Sequence, residues 1–285
     1  MEFGLALSGG GLRGAAHIGV LKALKERDLY PSWISGTSAG SIIAGLYSCG
    51  YSPEEMEKLV TVLNKKAYDP DILGIIKGIF CLLIGKEPSI DGIIKGKRIE
   101  KLLKEWTKEK HINDSCIPIA LAGVNVNNGQ TVYFVNNKKG LIDDKYSKYY
   151  DDIELYKAVG ISISIPVIFQ TKMFNGIRLA DGGVTDSLPV SVLKQMGAKK
   201  VIGVNLGYCG KLRKDIDNII EIGNQSLDIM QYQITRLMNT GADLIINPHI
   251  HDVGLMEFDR IKECVDRGYK AAKDNMDSIL KVIYK

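Results

Sequence analysis

Gly36-Thr37-Ser38-Ala39-Gly40 is where residue types and spacing come closest to chemistry. The serine is entered from Trp33-Ile34-Ser35 and left through the small-residue run Ser41-Ile42-Ile43-Ala44-Gly45. That order reads as strand, sharp turn and helix, with the hydroxyl at the apex. The flanking glycines remove the Cβ atoms that would clash where strand and helix meet, and such a turn holds its serine in a strained conformation. Ser38 is therefore a candidate nucleophile. In a chain with 30 glycines the same pattern also describes a plain glycine turn, so the surroundings must decide between the two.

Upstream, Ser8-Gly9-Gly10-Gly11-Leu12-Arg13-Gly14 follows the apolar run Phe3–Leu7 and precedes a helical pattern from Ala15 to Arg27. Successive glycines let backbone N–H groups converge on one concavity, and the N-terminus of the next helix adds positive charge, so the loop suits an anion. Gly9-x-Gly11-x-x-Gly14 also matches the dinucleotide fingerprint, which needs an acidic residue about 20 positions on, at the end of the second strand. That place is held by Ser35-Gly36-Thr37-Ser38. No Gly-Lys-Ser/Thr follows, so a Walker A loop is excluded. The remaining reading joins the two glycine motifs: adjacent parallel strands put an oxyanion-binding loop and a serine turn at one edge of a sheet.

A serine needs a base. Asp181-Gly182-Gly183 follows an apolar strand end; this aspartate is either a turn cap or a catalytic carboxylate. Of the four histidines, His17 lies in the first helix and His111 in a charged stretch, while His249 and His251 follow the last strand. Ser38, Asp181 and then His249 or His251 satisfy the serine–acid–histidine order of the α/β-hydrolases. His249-x-His251 is also a loose metal pattern, but no further ligands at suitable spacing accompany it.

The elements that must position these groups alternate. Strands are predicted at Phe3–Leu7, into Ser38, at Ile117–Val126, Thr131–Val135, Met173–Ala180, Lys200–Asn205 and Asp243–Asn247, with hairpin turns at Asn127-Asn128-Gly129 and Asn175-Gly176. Helices are predicted at Ala39–Cys49, from Pro53 behind the cap Ser52 to about Lys65, at Gly96–Lys110, Asp152–Val159, Val190–Met196, Ile216–Asn239 and Phe258–Tyr284. Ile72–Ile84 is expected to be a buried hairpin or core helix in preference to a lipid-touching flap. Ser162 and Ser164, alternating with isoleucines outside any glycine elbow, are expected to pack beside the site. The fold class is α/β, a mostly parallel sheet sandwiched by helices.

Composition narrows the partners. The 285 residues carry 37 Lys+Arg against 33 Asp+Glu, a net charge of +4. This leaves no nucleic-acid footprint, while weak attraction to an anionic lipid surface stays open. No linker divides the chain, so residues 1–285 are expected to form one domain. The odd, scattered Cys49, Cys81, Cys116, Cys209 and Cys264 fit a reducing cytosol. The start Met1–Leu7 has no basic leader, and no apolar run is long enough to span a bilayer.

The ordered set Gly9–Gly14 with Ala16-His17-Ile18-Gly19, then Gly36–Gly40, then Asp181–Gly183, together with Ser162–Phe169 and Leu188-Pro189-Val190, resembles the patatin-like phospholipase family, its small bacterial members in particular. The likeness runs over about 3–206, with the helical part from about 216 to 285 weaker. Gly160–Ser164 is bulkier than the family's alanine-rich version, and Thr185-Asp186-Ser187 replaces its more frequent asparagine-containing turn. What the resemblance implies is a serine acyl hydrolase with a Ser38–Asp181 dyad and no histidine, metal or cofactor. Backbone N–H groups of the Gly9–Gly11 loop, chiefly Gly10 and Gly11, with Ala39, would form the oxyanion hole. Arg13 would meet a substrate phosphate, or tie helices by a salt bridge. Phospholipids, lysophospholipids or other acyl esters would be substrates, met in the cytoplasm or peripherally at the inner membrane face.

Overall fold

The computed structural model describes residues 2–63, 67, 69–83, 87, 91–207, 216, 219–237, 241–250, 252–254 and 257–285. In chain order the elements are β1 (Gly4–Leu7), α1 (Ala15–Lys25), β2 (Trp33–Thr37), α2 (Ala39–Ser48), α3 (Pro53–Thr61), α4 (Ile72–Leu83), α5 (Lys97–Trp106), β3 (Ile119–Asn125), β4 (Thr131–Val135) and β5 (Ser147–Tyr150). They continue with α6 (Leu155–Ser162), β6 (Lys172–Phe174), β7 (Ile177–Asp181), α7 (Val190–Gln195), β8 (Val201–Val204), α8 (Ile219–Leu237), β9 (Leu244–Ile246), α9 (Ile261–Asp274) and α10 (Met276–Tyr284).

The strands form one mixed, mostly parallel sheet in the order β5-β4-β3-β2-β1-β8-β9, with β7 also pairing with β3 and β6 with β7. β1 is central and parallel to both β2 and β8. Its side chains alternate between faces: Leu5 and Leu7 join the larger core with α1 and α9, whereas Ala6 packs with Val190 and Leu193 of α7. Both faces are thus covered by helices, as a largely parallel sheet requires.

β3 organises the other half. Ile34–Thr37 of β2 pair in parallel with Ile119–Ala122 on one edge of β3, and β4 pairs antiparallel with Ala120–Val124. Gly123 and Val124 already have β4 partners, so β7, which pairs Asp181 with Gly123 and Ala180 with Val124, occupies the same edge as β2. β2 and β7 therefore meet end to end along β3.

Most predicted elements form. α3 begins at a capping box between Ser52 and Glu55, with Pro53 in its first turn, and ends at Thr61; Lys65, its expected end, lies outside the described residues. The long closing helix is two helices, α9 and α10, broken at Asn275, whose side chain donates to the Ala271 carbonyl at 2.8 Å. β5, an edge strand of polar and aromatic residues, has no alternation by which to be read. The expectation of a buried element at Ile72–Ile84 is corrected: α4 leaves Ile72, Leu73 and Ile76 between 59% and 76% exposed. Ile84 lies outside the described residues. Among the described residues, no helix is long and apolar enough to cross a membrane.

α1 and α9 pack at backbone contact. A Cβ on Gly268 would lie 2.0 Å from the Ala16 carbonyl oxygen, and one on Gly19 would lie 1.9 Å from that of Val265. Gly223 on the exposed face of α8 has nothing within 4 Å of its Cβ position. Gly268→Ala is expected to destabilise the protein by about 1–3 kcal/mol, the usual range for overpacking. Gly223→Ala should stabilise by about 0.5–1 kcal/mol through helix propensity. Urea unfolding of the two variants beside wild type checks the contrast.

Candidate active site

Ser38 sits between β2 and α2 at φ 51° and ψ −124°, a region that non-glycine residues rarely occupy and that costs of order 1–3 kcal/mol. The close crossing of strand and helix compels it. A Cβ on Gly36 would lie 2.4 Å from the Gly40 carbonyl oxygen, and one on Gly40 would lie 2.3 Å from that of Leu7. The turn is then clamped: the Ser41 amide and hydroxyl both donate to the Ser38 carbonyl, at 2.8 and 2.6 Å. Ser38 itself is 6% exposed.

The register along β3 brings Asp181 to it. Ala122 pairs with Thr37 and the next residue, Gly123, pairs with Asp181. The Ser38 side chain lies close enough to the Asp181 carboxylate to favour its charged form. That carboxylate accepts from the Gly183 amide at 2.8 Å, as the turn-cap reading expects. Burial raises its pKa to about 7, against the lowering effect of the Ser38 side chain and the Gly183 amide; loss of water disfavours the charged form more than these neighbours favour it.

The glycine loop divides by function. The Gly9 amide donates to the Ser187 carbonyl at 3.2 Å, so Gly9 fixes the loop and is not a free donor, a correction to its expected place in the oxyanion hole. The Gly10 amide has no acceptor among the described residues. Gly11, at φ 57°, begins the short turn before α1, and Ala39 is the first residue of α2, so neither amide has an intrahelical acceptor. Gly10 and Gly11 line the space around Ser38, and Ala39 lines it from the α2 side.

Of the two readings of Arg13, the salt bridge to a helix is the one that forms. Arg13 is 2% exposed, its Nε donates to the Val253 carbonyl at 2.7 Å, and its guanidinium lies 3.7 Å from Asp228 of α8. It ties the glycine loop to the C-terminal helices instead of presenting a charge to substrate. His17 is buried, with Nε2 2.9 Å from the Ser8 carbonyl oxygen. Burial lowers its pKa to about 4, so at neutral pH it is an uncharged prop behind the loop. His111 lies 3.2 Å from Asp152 on the surface. His249 follows β9, three strands from β2, or about 14 Å at the usual strand spacing. His251 lies outside the described residues. Among the described residues, no histidine lines the two cavities that meet at Ser38, and no three His, Cys, Asp or Glu side chains are grouped to hold a metal ion.

Ser162 and Ser164 prove more than packing. The Ser38 amide donates to the Ser162 hydroxyl at 3.0 Å, and the Asp181 amide donates to the Ser164 carbonyl at 2.9 Å. The end of α6 thus holds both residues. The only sequence signal was a pair of hydroxyls in an apolar run. The segment after Asp181 is sewn to β2 in the same way: Thr37 Oγ1 donates to the Asp186 carbonyl at 2.8 Å and Ser35 Oγ to that of Pro189 at 2.6 Å.

Two cavities open from Ser38. One, about 110 Å³, is apolar and walled by Ile42 and Ile43 of α2, Leu102 and Trp106 of α5, Ile163 and Phe169. The other, about 40 Å³, holds Asp181, Gly183 and the α8 side chains Leu227, Asp228 and Gln231. The arrangement pairs a hydroxyl with a buried carboxylate beside unused amide donors, with an apolar recess at hand.

A family model described as patatin-like phospholipase matches residues 5–194, which contain the glycine loop, Ser38 and Asp181. The chain is 28% identical over 207 residues to lysophospholipase NTE1 of Mycosarcoma maydis, covering 73% of this chain and 10% of that protein. It is 27% identical over 205 residues to an uncharacterised NTE family protein of Mycobacterium bovis, covering 71% of this chain and 48% of that one. The chain thus spans less than half of these curated relatives. Among solved structures, VipD from Legionella pneumophila shares the fold, with a TM-score of 0.51 at 15% identity over 97% of this chain and 67% of that one. With the family model covering most of the chain and the motifs in their expected order, the chain belongs to the patatin-like phospholipase family, a family of lipid ester hydrolases.

Proposed function

We propose that this chain hydrolyses acyl esters of phospholipids, lysophospholipids or similar lipids, with Ser38 as nucleophile and Asp181 as base, and without a metal or cofactor. The observation that carries the reading is the register on β3 that brings Ser38 beside the buried Asp181 carboxylate where an apolar cavity meets the glycine loop. Ser38 Oγ attacks the ester carbonyl carbon while its proton passes to Asp181. The carbonyl oxygen, now negative, is held by the amides of Gly10, Gly11 and Ala39; one such donor is worth about 2.7–4 kcal/mol of transition-state stabilisation. Collapse breaks the ester C–O bond, and Asp181 returns the proton to the departing alcohol. In the second half Asp181 takes a proton from water, hydroxide attacks acyl-Ser38, and the fatty acid leaves as Ser38 recovers its proton. A carboxyl whose pKa is raised toward neutrality accepts and returns the proton more effectively than an ordinary, weakly basic aspartate.

We also propose that residues 1–285 act as one unit and that the protein works in the cytoplasm at a membrane surface. Cys49 and Cys264 are buried free thiols, which fits a reducing compartment. The exposed apolar side of α4 supports surface contact, because its start is tied to the rim of the apolar cavity: Asp71 accepts from Gln170 at 2.9 Å and pairs with Lys95 at 3.1 Å, beside Phe169.

The proposal is tested first by kinetics on a soluble ester. Below an apparent pKa near 7, where Asp181 is protonated, kcat/KM should fall about tenfold per pH unit. Asp181→Asn should lose about 10²–10⁴-fold or more, while His249→Ala and His251→Ala keep most activity; the opposite pattern sinks the dyad. Stability supplies a second test. The folded pKa of Asp181 is raised from 3.8 to about 7, so between those values the native state binds a proton that the unfolded state has lost. Its favourable contribution is complete below the unfolded value and is lost as pH rises through the folded one, at about 1.4 kcal/mol per pH unit. Asp181→Asn does not titrate, so in urea unfolding its stability relative to wild type should rise by about 3–4 kcal/mol between about pH 4 and about pH 8. An offset constant with pH would contradict the buried, raised carboxyl. Leu73→Asp should slow hydrolysis of vesicle phospholipid by about tenfold, losing apolar insertion, with hydrolysis of a soluble ester unaffected.

A further inference from the structure

α5 turns two faces to different surroundings. Leu102 and Trp106 wall the apolar cavity, whereas Lys97, Lys101 and Lys104, successive neighbours on one helix face, line an open groove of about 470 Å³ with Lys95 and Lys172. Glu100 lines it too and pairs with Lys172 at 2.8 Å, while Lys95 pairs with Asp71 at 3.1 Å and Lys104 with Glu109 at 3.2 Å. Lys97 and Lys101 are exposed. Residues 95–110 carry seven Lys/Arg and three Glu, a surplus equal to the +4 of the whole chain. The basic excess of this protein is therefore local.

The helix itself does not call for these cations. A helix N-terminus is the positive end of its dipole, where Lys and Arg are disfavoured, yet Lys97 and Arg98 open α5. Its first amides are answered by a carboxylate from outside the helix, Asp69, which accepts from Gly96 and Lys97 at 2.9 and 3.1 Å. Lysines held against the dipole suit an anion beyond the chain. The groove also has an apolar neighbour: Lys95 and Gln170 of its lining both hold Asp71 at the start of α4, and α4 exposes Ile72, Leu73 and Ile76 within the next turn or so. Phe169, adjoining Gln170, walls the cavity that reaches Ser38. Cations for headgroups and apolar side chains for the acyl region, side by side, are what an interfacial surface needs. A soluble phosphate would use the lysines alone.

We propose that the lysine groove of α5 docks this protein on anionic lipid bilayers, with Lys97 and Lys101 meeting headgroup phosphates while α4 inserts beside them at the rim of the apolar cavity. The inference rests on the membrane-surface reading above and adds a charge requirement to it. Zwitterionic lipid is then the poorer surface, and binding weakens with salt, which screens exposed charges.

Flotation of the whole protein with vesicles of phosphatidylcholine alone, or of equal parts phosphatidylcholine and phosphatidylglycerol, tests it. Wild type should partition onto the mixed vesicles about tenfold better or more, and high salt should remove the difference. A Lys beside an anionic surface is worth about fivefold in partitioning, so Lys97→Gln combined with Lys101→Gln should lose about 25-fold on mixed vesicles and change little on phosphatidylcholine. The control is Lys139→Gln combined with Lys199→Gln, which removes the same charge from exposed positions in the loops after β4 and before β8, at strand ends away from Ser38; it should bind as wild type does. Because Lys97 opposes the helix dipole, the groove variant should unfold at no lower urea than wild type, so lost binding is not lost fold. Equal binding of wild type to both vesicles, a groove variant that binds as wild type, or equal losses in both double variants overturns the groove and leaves the membrane-surface reading standing. Release of bound protein by soluble glycerol phosphate beyond that by sodium chloride of the same ionic strength marks a discrete phosphate site, and also overturns it. Wild-type binding to neither vesicle overturns the membrane-surface reading beneath it.

Discussion

Two consecutive residues of one strand hold the whole site. Ala122 pairs with Thr37, next to Ser38, and Gly123 pairs with Asp181, so the separation of serine and aspartate is set by the repeat of β3 and not by loops. Ladder hydrogen bonds fix that register, and a slip of one residue would turn every side chain to the other face. The remaining supports act on the same junction. Ser162, the last residue of α6, and Ser164 just beyond it hold the amides of Ser38 and Asp181, the segment after Asp181 is fastened back to β2 through Thr37 and Ser35, and Gly9 is bonded to Ser187.

This rigidity sustains two local costs. Ser38 is held at φ 51°, and Asp181 is kept out of water at 4% exposure. Either alone is worth a few kcal/mol, a large share of the usual net stability of a folded chain. Both are tolerated because helices cover the sheet on each face and α1 and α9 meet at backbone contact. The burial of Asp181 is also what moves it toward neutral pH, so the same desolvation that weakens the fold suits the carboxyl to proton transfer.

Local features were legible in the sequence and long-range ones were not. The serine turn, the glycine loop, the Asp-Gly turn and the capping box at Ser52 are encoded within a few neighbouring residues by glycine geometry and hydrogen-bonding side chains, and they form where expected. The meeting of β2 and β7 on one edge of β3 joins residues about 140 positions apart, and no local pattern carries it. For the same reason the support that Ser162 gives Ser38 was invisible, Gly9 was assigned by motif position although its partner Ser187 comes from a distant segment, and the partners of Arg13, Val253 and Asp228, could not be named. α4 misled for a different reason: apolar composition usually means burial, yet Leu73 is 76% exposed.

The central claim is that Ser38 is activated by Asp181 alone. Labelling with a fluorophosphonate, followed by peptide mass spectrometry across a pH series, tests it directly. The account predicts one adduct, on the peptide carrying Ser38, forming at a rate that rises with pH through a midpoint near 7, the value to which burial brings Asp181. An adduct on another residue, or a Ser38 labelling rate that is unchanged in Asp181→Asn, would contradict it.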